Sequence, residues 1–335
     1  MTMDTRHVEG SRLRITIPVE IRSHFREDVV AGLQRSQKAI PPKYFYDRRG
    51  SLLFEQICQQ PEYYLTRTEA SILRTHVADI WDEIGDCTIV ELGSGSSAKT
   101  RLLFDEGQRR HRHLRYVPID ISASMLEATA NALVQEYLQL EIDALATDYL
   151  NGLMALPNGQ PRLVIFLGSN LGNFTQEEQT QLFTRLTQAL RPGDFFLLGC
   201  DLQKSTSILE SAYNDAAGVT SAFNLNLLQR MNRELAAQFD LSRFSHLAFY
   251  HEQLHQIEMH LQSEQKQEVM IADLNLSVSF RAEETIHTEI SRKFSPTEVC
   301  AQLASCGFRR RALWSDANDW FMVALFRFAG KPTEE

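Results

Sequence analysis

A glycine-rich segment that follows a short apolar run is the first pattern in the chain whose residue types suggest ligand binding. Residues 87–92 read Cys-Thr-Ile-Val-Glu-Leu, and Gly93, Gly95 and Ala98 follow within six positions. Glycines at the first two sites allow a tight turn close to a ligand, and a small residue at the third lets a helix pack near the strand. Asp120 ends the next apolar run, 25 positions after Gly95, where a carboxylate would meet ribose hydroxyls. These residues predict a nucleotide-type cofactor, either NAD or S-adenosylmethionine.

Three features around the glycines favour S-adenosylmethionine over NAD. Glu91 precedes them in the pattern Glu-x-Gly-x-Gly, residues 190–194 read Leu-Arg-Pro-Gly-Asp, and the chain ends on a hairpin pattern. Asp148 and Tyr149 follow the third apolar run, where the carboxylate can accept a hydrogen bond from the exocyclic amine of adenine. We therefore expect an adenine site at this pair.

A second loop of small and polar residues follows the fourth apolar run. It runs from Gly168 to Asn173, at the sheet edge where folds of this kind place reacting groups. The Asn173 amide could accept from an amine and donate to a carboxylate. A plain loop would also favour Gly and Asn because both tolerate left-handed backbone. Both interpretations stay open on the local sequence.

Aromatic residues crowd the N-terminal part of the chain, near Arg67. They are Tyr44, Phe45, Tyr46, Phe54, Tyr63 and Tyr64. Their faces could hold an ammonium or imidazole cation, and ordinary core packing explains them equally well. Glu289 and Ser291, two positions apart, would share one side of an extended stretch, which a solvated strand face also explains.

We predict no metal site from the sequence. Residues 251–255 read His-Glu-Gln-Leu-His, the zincin pattern, which requires a helix to bring both imidazoles to one face. Here the residues from Leu254 to Leu261 alternate with period two, which places the pentapeptide at a hairpin turn. The five cysteines are scattered and form no C-x₂-C pair, which indicates reduced thiols.

Apolar runs alternate with helical patterns up to about residue 202. The runs are 87–92, 114–119, 140–146, 163–167 and 195–198. Continuous apolar runs indicate parallel strands covered on both faces. Helical stripes at 126–137 and 182–190 separate them, the second preceded by the capping-box pair Thr175 and Glu178. The alternation predicts an α/β fold with a doubly wound, Rossmann-like sheet.

The alternation stops after Asp201. Residues 203–293 are mixed in character and indicate an inserted α+β subdomain with strand-rich stretches at 252–263 and 268–280. A helix is then predicted from Ser295, with proline at its first turn and Gly307 at its end. Two apolar runs follow, 310–314 and 320–328, and predict the terminal antiparallel hairpin that is typical of class I methyltransferases.

Composition excludes several classes of function. The chain has 34 Lys+Arg and 43 Asp+Glu, a net charge of −9, which argues against binding of nucleic acid or anionic membranes. It lacks an apolar run near the ~20 residues that span a bilayer, and its first residues lack the apolar stretch of an export signal. We expect a cytoplasmic, monomeric protein.

Six segments together resemble the histidine-specific methyltransferases of ergothioneine biosynthesis, in unbroken order from about residue 38 to 328. The segments are Pro42-Lys-Tyr-Phe-Tyr-Asp47, Leu53-Phe-Glu-Gln-Ile57, Pro61-Glu-Tyr-Tyr-Leu-Thr-Arg67, Glu91-Leu-Gly-Ser-Gly-Ser-Ser-Ala-Lys-Thr100, Phe166-Leu-Gly-Ser-Asn-Leu-Gly-Asn173 and Glu289-Ile-Ser-Arg-Lys-Phe294.

The resemblance implies a role for each matching residue. The cofactor residues would be Gly93, Gly95, Lys99, Asp120, Asp148 and Tyr149. Asn173 and Tyr213 would hold the substrate's carboxylate and amine, and the imidazole would be bound by Tyr63, Glu289 and Ser291. The other pocket residues would be Tyr46, Phe54, Gly168, Thr220 and Met259. Residues 1–66 and 203–293 would form the substrate domain, and residues 67–202 and 294–330 the methyltransferase domain.

The expected reaction is transfer of three methyl groups from S-adenosylmethionine to the α-amine of L-histidine, giving hercynine. Tyr46, Asn173 or an ordered water would carry the amine proton away. Relatives that use tryptophan-type substrates share much of the pattern, and Glu289, Ser291 and Met259 favour histidine. The alternatives are therefore a methyltransferase for tryptophan or another amine, and an NAD-dependent oxidoreductase.

Overall fold

The computed structural model describes residues 3–7, 12–18, 24–156 and 159–330. They fall into two compact units. The first contains the described residues of Met1–Ile21, Leu65–Gln203 and Phe294–Glu335, and the second those of Arg22–Tyr64 and Lys204–Lys293. Within the described residues, helices that are both long and apolar enough to cross a membrane are absent.

The strands are numbered along the chain. They are β1 (Met3–His7), β2 (Leu13–Pro18), β3 (Lys38–Ala39), β4 (Thr88–Leu92), β5 (Leu114–Asp120), β6 (Leu140–Ala146), β7 (Arg162–Phe166), β8 (Phe195–Asp201), β9 (Phe244–His251), β10 (Gln256–Ser263), β11 (Gln267–Ile271), β12 (Leu276–Phe280), β13 (Thr285–Arg292), β14 (Phe308–Ser315) and β15 (Phe321–Phe328).

The helices are numbered in the same way. They are α1 (Phe25–Leu33), α2 (Arg48–Ile57), α3 (Leu65–Ile84), α4 (Arg101–Arg109), α5 (Ala123–Glu136), α6 (Tyr149–Met154), α7 (Gln176–Ala189), α8 (Thr206–Tyr213), α9 (Val219–Leu235) and α10 (Pro296–Ser305). Short 3₁₀ turns occupy Pro42–Phe45, Asn170–Asn173, Leu241–Arg243 and Ala272–Leu274.

The first unit is built on one sheet of nine described strands. Their order is β1-β2-β6-β5-β4-β7-β8-β15-β14. The strands from β2 to β8 in this order pair in parallel, and β15 and β14 close the sheet as an antiparallel hairpin. The chain winds outward in one direction through β4, β5 and β6 and in the other through β7 and β8. The doubly wound α/β sheet with a terminal hairpin is therefore confirmed, and its switch point lies between β4 and β7, where such sheets bind ligands.

Helices pack on this sheet through apolar faces that the sequence predicted. Leu182, Phe183 and Leu186 of α7 are buried in the same core as the strand residues Val164 and Phe196. The predicted capping box of α7 is confirmed: the Thr175 hydroxyl accepts from the Glu178 amide, and the Glu178 carboxylate accepts from the Thr175 amide. Helix α10 begins at the predicted proline, although the side chain of Ser295 makes no capping hydrogen bond.

The second unit combines a four-stranded sheet with helices. The sheet order is β3-β13-β10-β9, and β11 and β12 form a separate hairpin. Apolar side chains of α9, among them Phe223, Leu227 and Met231, are buried, as are Ile257 and Leu261 of β10. Residues 252–255 form the turn between β9 and β10, so the predicted hairpin turn at the His-Glu-Gln-Leu-His pentapeptide is confirmed.

The N-terminal residues lie elsewhere than the predicted division of 1–66 places them. Strand β2 pairs in parallel with β6, so it extends the sheet of the first unit. The Arg12 guanidinium donates to the carbonyls of Val134 and Tyr137, at 2.7 and 2.6 Å, where α5 ends. These last helical carbonyls have no partner within the helix, which explains why the segment is held there. The other three boundaries of the predicted division lie within two residues of the boundaries of the units.

This anchoring predicts the stability of two arginine variants. Arg12→Ala removes donors to half-buried carbonyls and should lower the free energy of unfolding by about 1–2 kcal/mol. Arg14→Ala removes only an exposed ion pair with Asp143 and should cost less than about 0.5 kcal/mol. Urea unfolding followed by circular dichroism measures both values. Equal losses in the two variants would contradict this role for Arg12.

Candidate functional site

In the first unit, the glycine-rich loop occupies the carboxyl edge of the sheet directly after β4. Gly93 and Gly95 have φ angles of +74° and +48°, a conformation that favours glycine. A Cβ at Gly93 would lie 2.7 Å from the Tyr149 hydroxyl and 3.3 Å from the Asn170 amide nitrogen. The loop therefore approaches the start of α6 and the loop after β7 closely, and only the absence of a side chain permits this.

Asp120 connects the loop to the end of β5. Its carboxylate accepts from the Gly95 amide and from the Ser122 amide, both at 2.9 Å. Burial raises the pKa of Asp120, whereas these backbone donors act to lower it. The carboxylate is thus held in one orientation at the edge of the sheet.

The buried Glu91 carboxylate connects the two ends of the same loop. The Glu91 carboxylate accepts from the Thr100 hydroxyl at 2.6 Å, just before α4, and from the Tyr116 hydroxyl. Burial raises the pKa of Glu91 to about 7 although both hydroxyls act to lower it. The Ser94 hydroxyl oxygen is buried and lacks a hydrogen-bond partner among the described residues. An unsatisfied polar atom beside a glycine cradle fits a loop that binds a polar ligand.

The three other predicted cofactor residues each have a partner in the first unit. Asp148 caps α6 by accepting from the Asn151 amide at 3.0 Å. Tyr149 packs at 5.4 Å between ring centroids against Phe166. Lys99 forms an ion pair with Glu69 of α3. The backbone donors, the glycine cradle and the unpartnered Ser94 hydroxyl together fit a polar, nucleoside-containing ligand such as an S-adenosyl group.

Glu69 is a functional candidate that the sequence analysis missed. Its side chain is 0% exposed, and its carboxylate accepts from the Gly168 amide at 2.8–2.9 Å as well as from Lys99. A Cβ at Gly199 would lie 1.8 Å from a Glu69 carboxylate oxygen, so Gly199 makes room for it. Glu69 lies on the buried face of α3 among apolar residues. A carboxylate at such a position is the sequence feature that could have identified it.

The predicted polar residues of the second unit converge at β13. Tyr213, at the end of α8, donates from its hydroxyl to the Ser291 hydroxyl at 2.7 Å. Lys293, which sequence reasoning missed, donates to the Ser291 hydroxyl at 2.9 Å and to the Tyr213 hydroxyl at 3.1 Å. Lys293 is only 3% exposed. Burial raises the pKa of Glu289 to about 7, and the charge of Lys293 acts to lower it.

Aromatic rings lie beside these groups. Tyr63 has its ring centroid 6.3 Å from those of both Tyr213 and Phe54, and Tyr46 lies 5.7 Å from Phe54. Phe223 of α9, absent from the predicted set, lies 5.8 Å from Tyr46. Burial raises the pKa of Tyr63 well above its ordinary value, so its hydroxyl keeps its proton.

The remaining predicted residues divide between the two units. Met259 is buried on β10 and pairs in register with Glu289, and the Thr220 amide donates to Asp215 at 2.7 Å, both in the second unit. Asn173 ends the 3₁₀ turn after β7 in the first unit. The structure therefore brings Tyr46, Phe54, Tyr63, Tyr213, Glu289, Ser291 and Met259 into one unit and the predicted cofactor residues into the other.

Comparison with known proteins gives consistent results. The family model for histidine-specific, S-adenosylmethionine-dependent methyltransferases matches residues 25–328. The histidine N-alpha-methyltransferases of Mycolicibacterium smegmatis and Mycobacterium tuberculosis are 46% and 45% identical over 300 residues, which cover 90% of this chain and 94% of each relative. Ergothioneine biosynthesis protein 1 of Neurospora crassa is 27% identical over 93% of this chain and 35% of its own length.

The raised pKa of Glu289 predicts how its replacement changes stability with pH. The folded carboxyl keeps its proton up to about pH 7, whereas an unfolded one loses it near pH 4.5. The folded state therefore binds more protons between these values, and this contribution to stability is lost as pH rises towards 7. Glu289→Gln, which stays neutral, should gain up to about 3 kcal/mol over wild type between pH 5 and pH 8.

Glu284→Gln is the matched control for this measurement. Burial acts to raise the pKa of Glu284, but the hydrogen bond from Lys38 holds it below its ordinary value. Its carboxyl is thus ionised in both states above pH 5, so the variant should differ from wild type by a constant amount. Chemical unfolding at several pH values measures both variants. A flat difference for Glu289→Gln would contradict the buried, protonated carboxyl.

Proposed function

Because the chain belongs to the family of histidine-specific, S-adenosylmethionine-dependent methyltransferases, we propose that it transfers three methyl groups to the α-amine of L-histidine, giving hercynine. The similarity to a fungal ergothioneine biosynthesis protein supports placing this product in ergothioneine biosynthesis. A cytoplasmic location and a monomeric state stay predictions from the sequence.

The observation that carries the choice of substrate is the direction of the hydrogen bonds around Ser291. Its oxygen accepts from both Tyr213 and Lys293, so its own proton is left to donate to a further acceptor. Above its raised pKa of about 7 the Glu289 carboxyl, two positions away on β13, is ionised and can only accept. A neutral imidazole offers one N–H donor and one nitrogen acceptor, and it therefore complements this pair.

The same groups disfavour an indole. Indole has one N–H and no acceptor nitrogen, so it would leave the Ser291 proton unpaired in a buried place. An unpaired buried polar group costs about 1–3 kcal/mol, which reduces the use of tryptophan by roughly ten- to a hundredfold. Met259, opposite Glu289 on β10, would add an apolar wall beside the imidazole.

The first unit would bind the methyl donor. S-adenosylmethionine, when bound, supplies an electrophilic methyl group on a sulfonium. Gly93 and Gly95 would admit the ligand to the backbone of the loop, Asp120 would bind its ribose hydroxyls, and Asp148 with Tyr149 would bind its adenine. Lys99 and Glu69 would hold the loop after β7, where Gly168 and Asn173 lie.

The substrate's amine must lose a proton before each transfer, because only a neutral amine has a free lone pair. Asn173 and Tyr213 would hold the amine and carboxylate, and Tyr46, Asn173 or a water molecule would take the proton. The product is a quaternary ammonium that cannot donate hydrogen bonds, and the faces of Phe54 and Tyr63 can stabilise it by cation–π attraction. Positioning of the reactants then supplies much of the rate.

Mass spectrometry of the products tests this proposal. The purified chain is incubated with S-adenosylmethionine and a mixture of the twenty amino acids, and each is followed for added methyl groups. We expect only histidine to gain mass, ending as a species with three methyl groups. A matched reaction with S-adenosylhomocysteine in place of S-adenosylmethionine should give none. Methylation of tryptophan, an end point at one methyl group, or no methylation would contradict the proposal.

A further inference from the structure

Three side chains that the proposed reaction does not use cluster in the second unit. They are Glu258 and His260 of β10 and His287 of β13. One potential ligand atom from each lies within 4.8 Å of the other two. The group is partly shielded from solvent, since His260 is only 7% exposed and the other two residues are half-buried. Two imidazoles and a carboxylate are the ligand set of many zinc and iron sites.

The sheet itself places the three side chains on one face. Glu258 and His260 are two positions apart on β10, and His260 pairs in register with His287. The register shifts between Met259 and His260, so β13 carries an extra residue there. This bulge is what sets His287 across from His260 while Glu289 pairs with Met259.

Each of the three has a neighbour that fixes its orientation. Gln256 donates to the Glu258 carboxylate at 2.8 Å, and the ring of Phe249 stacks on that of His260 with centroids 5.5 Å apart and an interplanar angle of 10°. The His287 Nε2 lies 3.1 Å from the carbonyl oxygen of Glu289. A carbonyl can only accept, so Nε2 carries the proton and Nδ1 keeps a lone pair. An acceptor for the second ring nitrogen, as at His287, is typical of metal-binding histidines.

The distances suit a shared metal ion. His260 Nε2 and a Glu258 carboxylate oxygen are 3.2 Å apart, and two tetrahedral zinc ligands at 2.0–2.1 Å from the ion are about 3.4 Å apart. All three ligand atoms lie within 4.8 Å of one another, so no separation exceeds the tetrahedral spacing of about 3.4 Å by more than about 1.4 Å. The His260 Nδ1 is buried and lacks a hydrogen-bond partner among the described residues, so one ring nitrogen makes no polar contact there.

The ligand types also define the charge of the site. Two neutral imidazoles and one carboxylate would leave a bound divalent ion with a net charge of +1.

We propose that Glu258, His260 and His287 form a binding site for one divalent transition-metal ion of the zinc class. The ion links β10 to β13 at the bulge and so stabilises the second unit. The site is separate from the His-Glu-Gln-Leu-His pentapeptide, in which His251 ends β9 and His255 lies in the turn before β10.

Zinc titration of the untagged, full-length chain tests the site. The protein is stripped with a chelator, desalted and titrated with Zn²⁺ against a chromophoric competitor, without histidine or S-adenosylmethionine. We expect one equivalent to bind. His260→Ala and His287→Ala should each weaken binding about 100-fold, and Glu258→Gln, which keeps the side-chain volume, about tenfold or more.

The double variant with His251→Asn and His255→Asn is the matched control. It removes two histidines from the same unit, and asparagine tolerates the positive φ of 50° at position 255. We expect its zinc affinity to stay within threefold of wild type. Zinc should also raise the melting temperature of wild type and of this control, but that of Glu258→Gln much less.

Three results would overturn the proposal. They are failure of wild type to bind one equivalent of zinc, unchanged affinity in folded Glu258→Gln, and loss of binding only in the pentapeptide variant. Cobalt gives an independent readout, since Co²⁺ bound to these ligands should show visible absorption that excess Zn²⁺ removes. Absence of that absorption in wild type would count equally against the site.

Discussion

The buried cation of Lys293 is the constraint on which the polar arrangement of the second unit depends. A charge that is removed from water must be paired and hydrogen-bonded, because the cost of desolvation is otherwise several kcal/mol. Lys293 meets this need by donating to Tyr213 and Ser291, and its charge acts on Glu289 nearby. Lys293 donates to both hydroxyls and Tyr213 donates to Ser291, so the Ser291 proton is the one left to donate. A site with one defined donor and one defined acceptor is the consequence.

The first unit also has a buried, hydrogen-bonded ionic group, at the edge of its sheet. Glu69 is fully buried and satisfied by Lys99 and by the amide of Gly168, so one carboxylate joins the loop after β4 to the loop after β7. This arrangement requires glycine at position 199, since any side chain there would occupy the place of the carboxylate. In both units, a buried ionic group therefore orients the residues that we propose to contact ligands.

The sequence was sufficient to predict the positions of five parallel strands, the terminal hairpin and the capping box of α7, because each depends on a local sequence pattern. Strand β2 was missed because its six residues follow a charged segment and owe their place to pairing with the distant β6. Lys293 was missed because the local sequence does not show that a lysine is buried. It does continue the two-residue spacing of Glu289 and Ser291, one position past the end of β13. His260 and His287 lie opposite each other because of a bulge in β13, and the sequence alone does not show this bulge.

Calorimetric titration of L-histidine into wild type and Glu289→Ala tests the central claim most directly, with S-adenosylhomocysteine titrated into the same samples. If Glu289 with Ser291 recognises the imidazole, the variant should bind histidine about 100-fold more weakly at about pH 8, where the Glu289 carboxyl is ionised, because a hydrogen bond to a charged group is worth about 1.5–3 kcal/mol. Its affinity for S-adenosylhomocysteine should change less than twofold, and Glu284→Ala should resemble wild type for both ligands. Equal weakening for both ligands, or unchanged binding of histidine, would contradict the account.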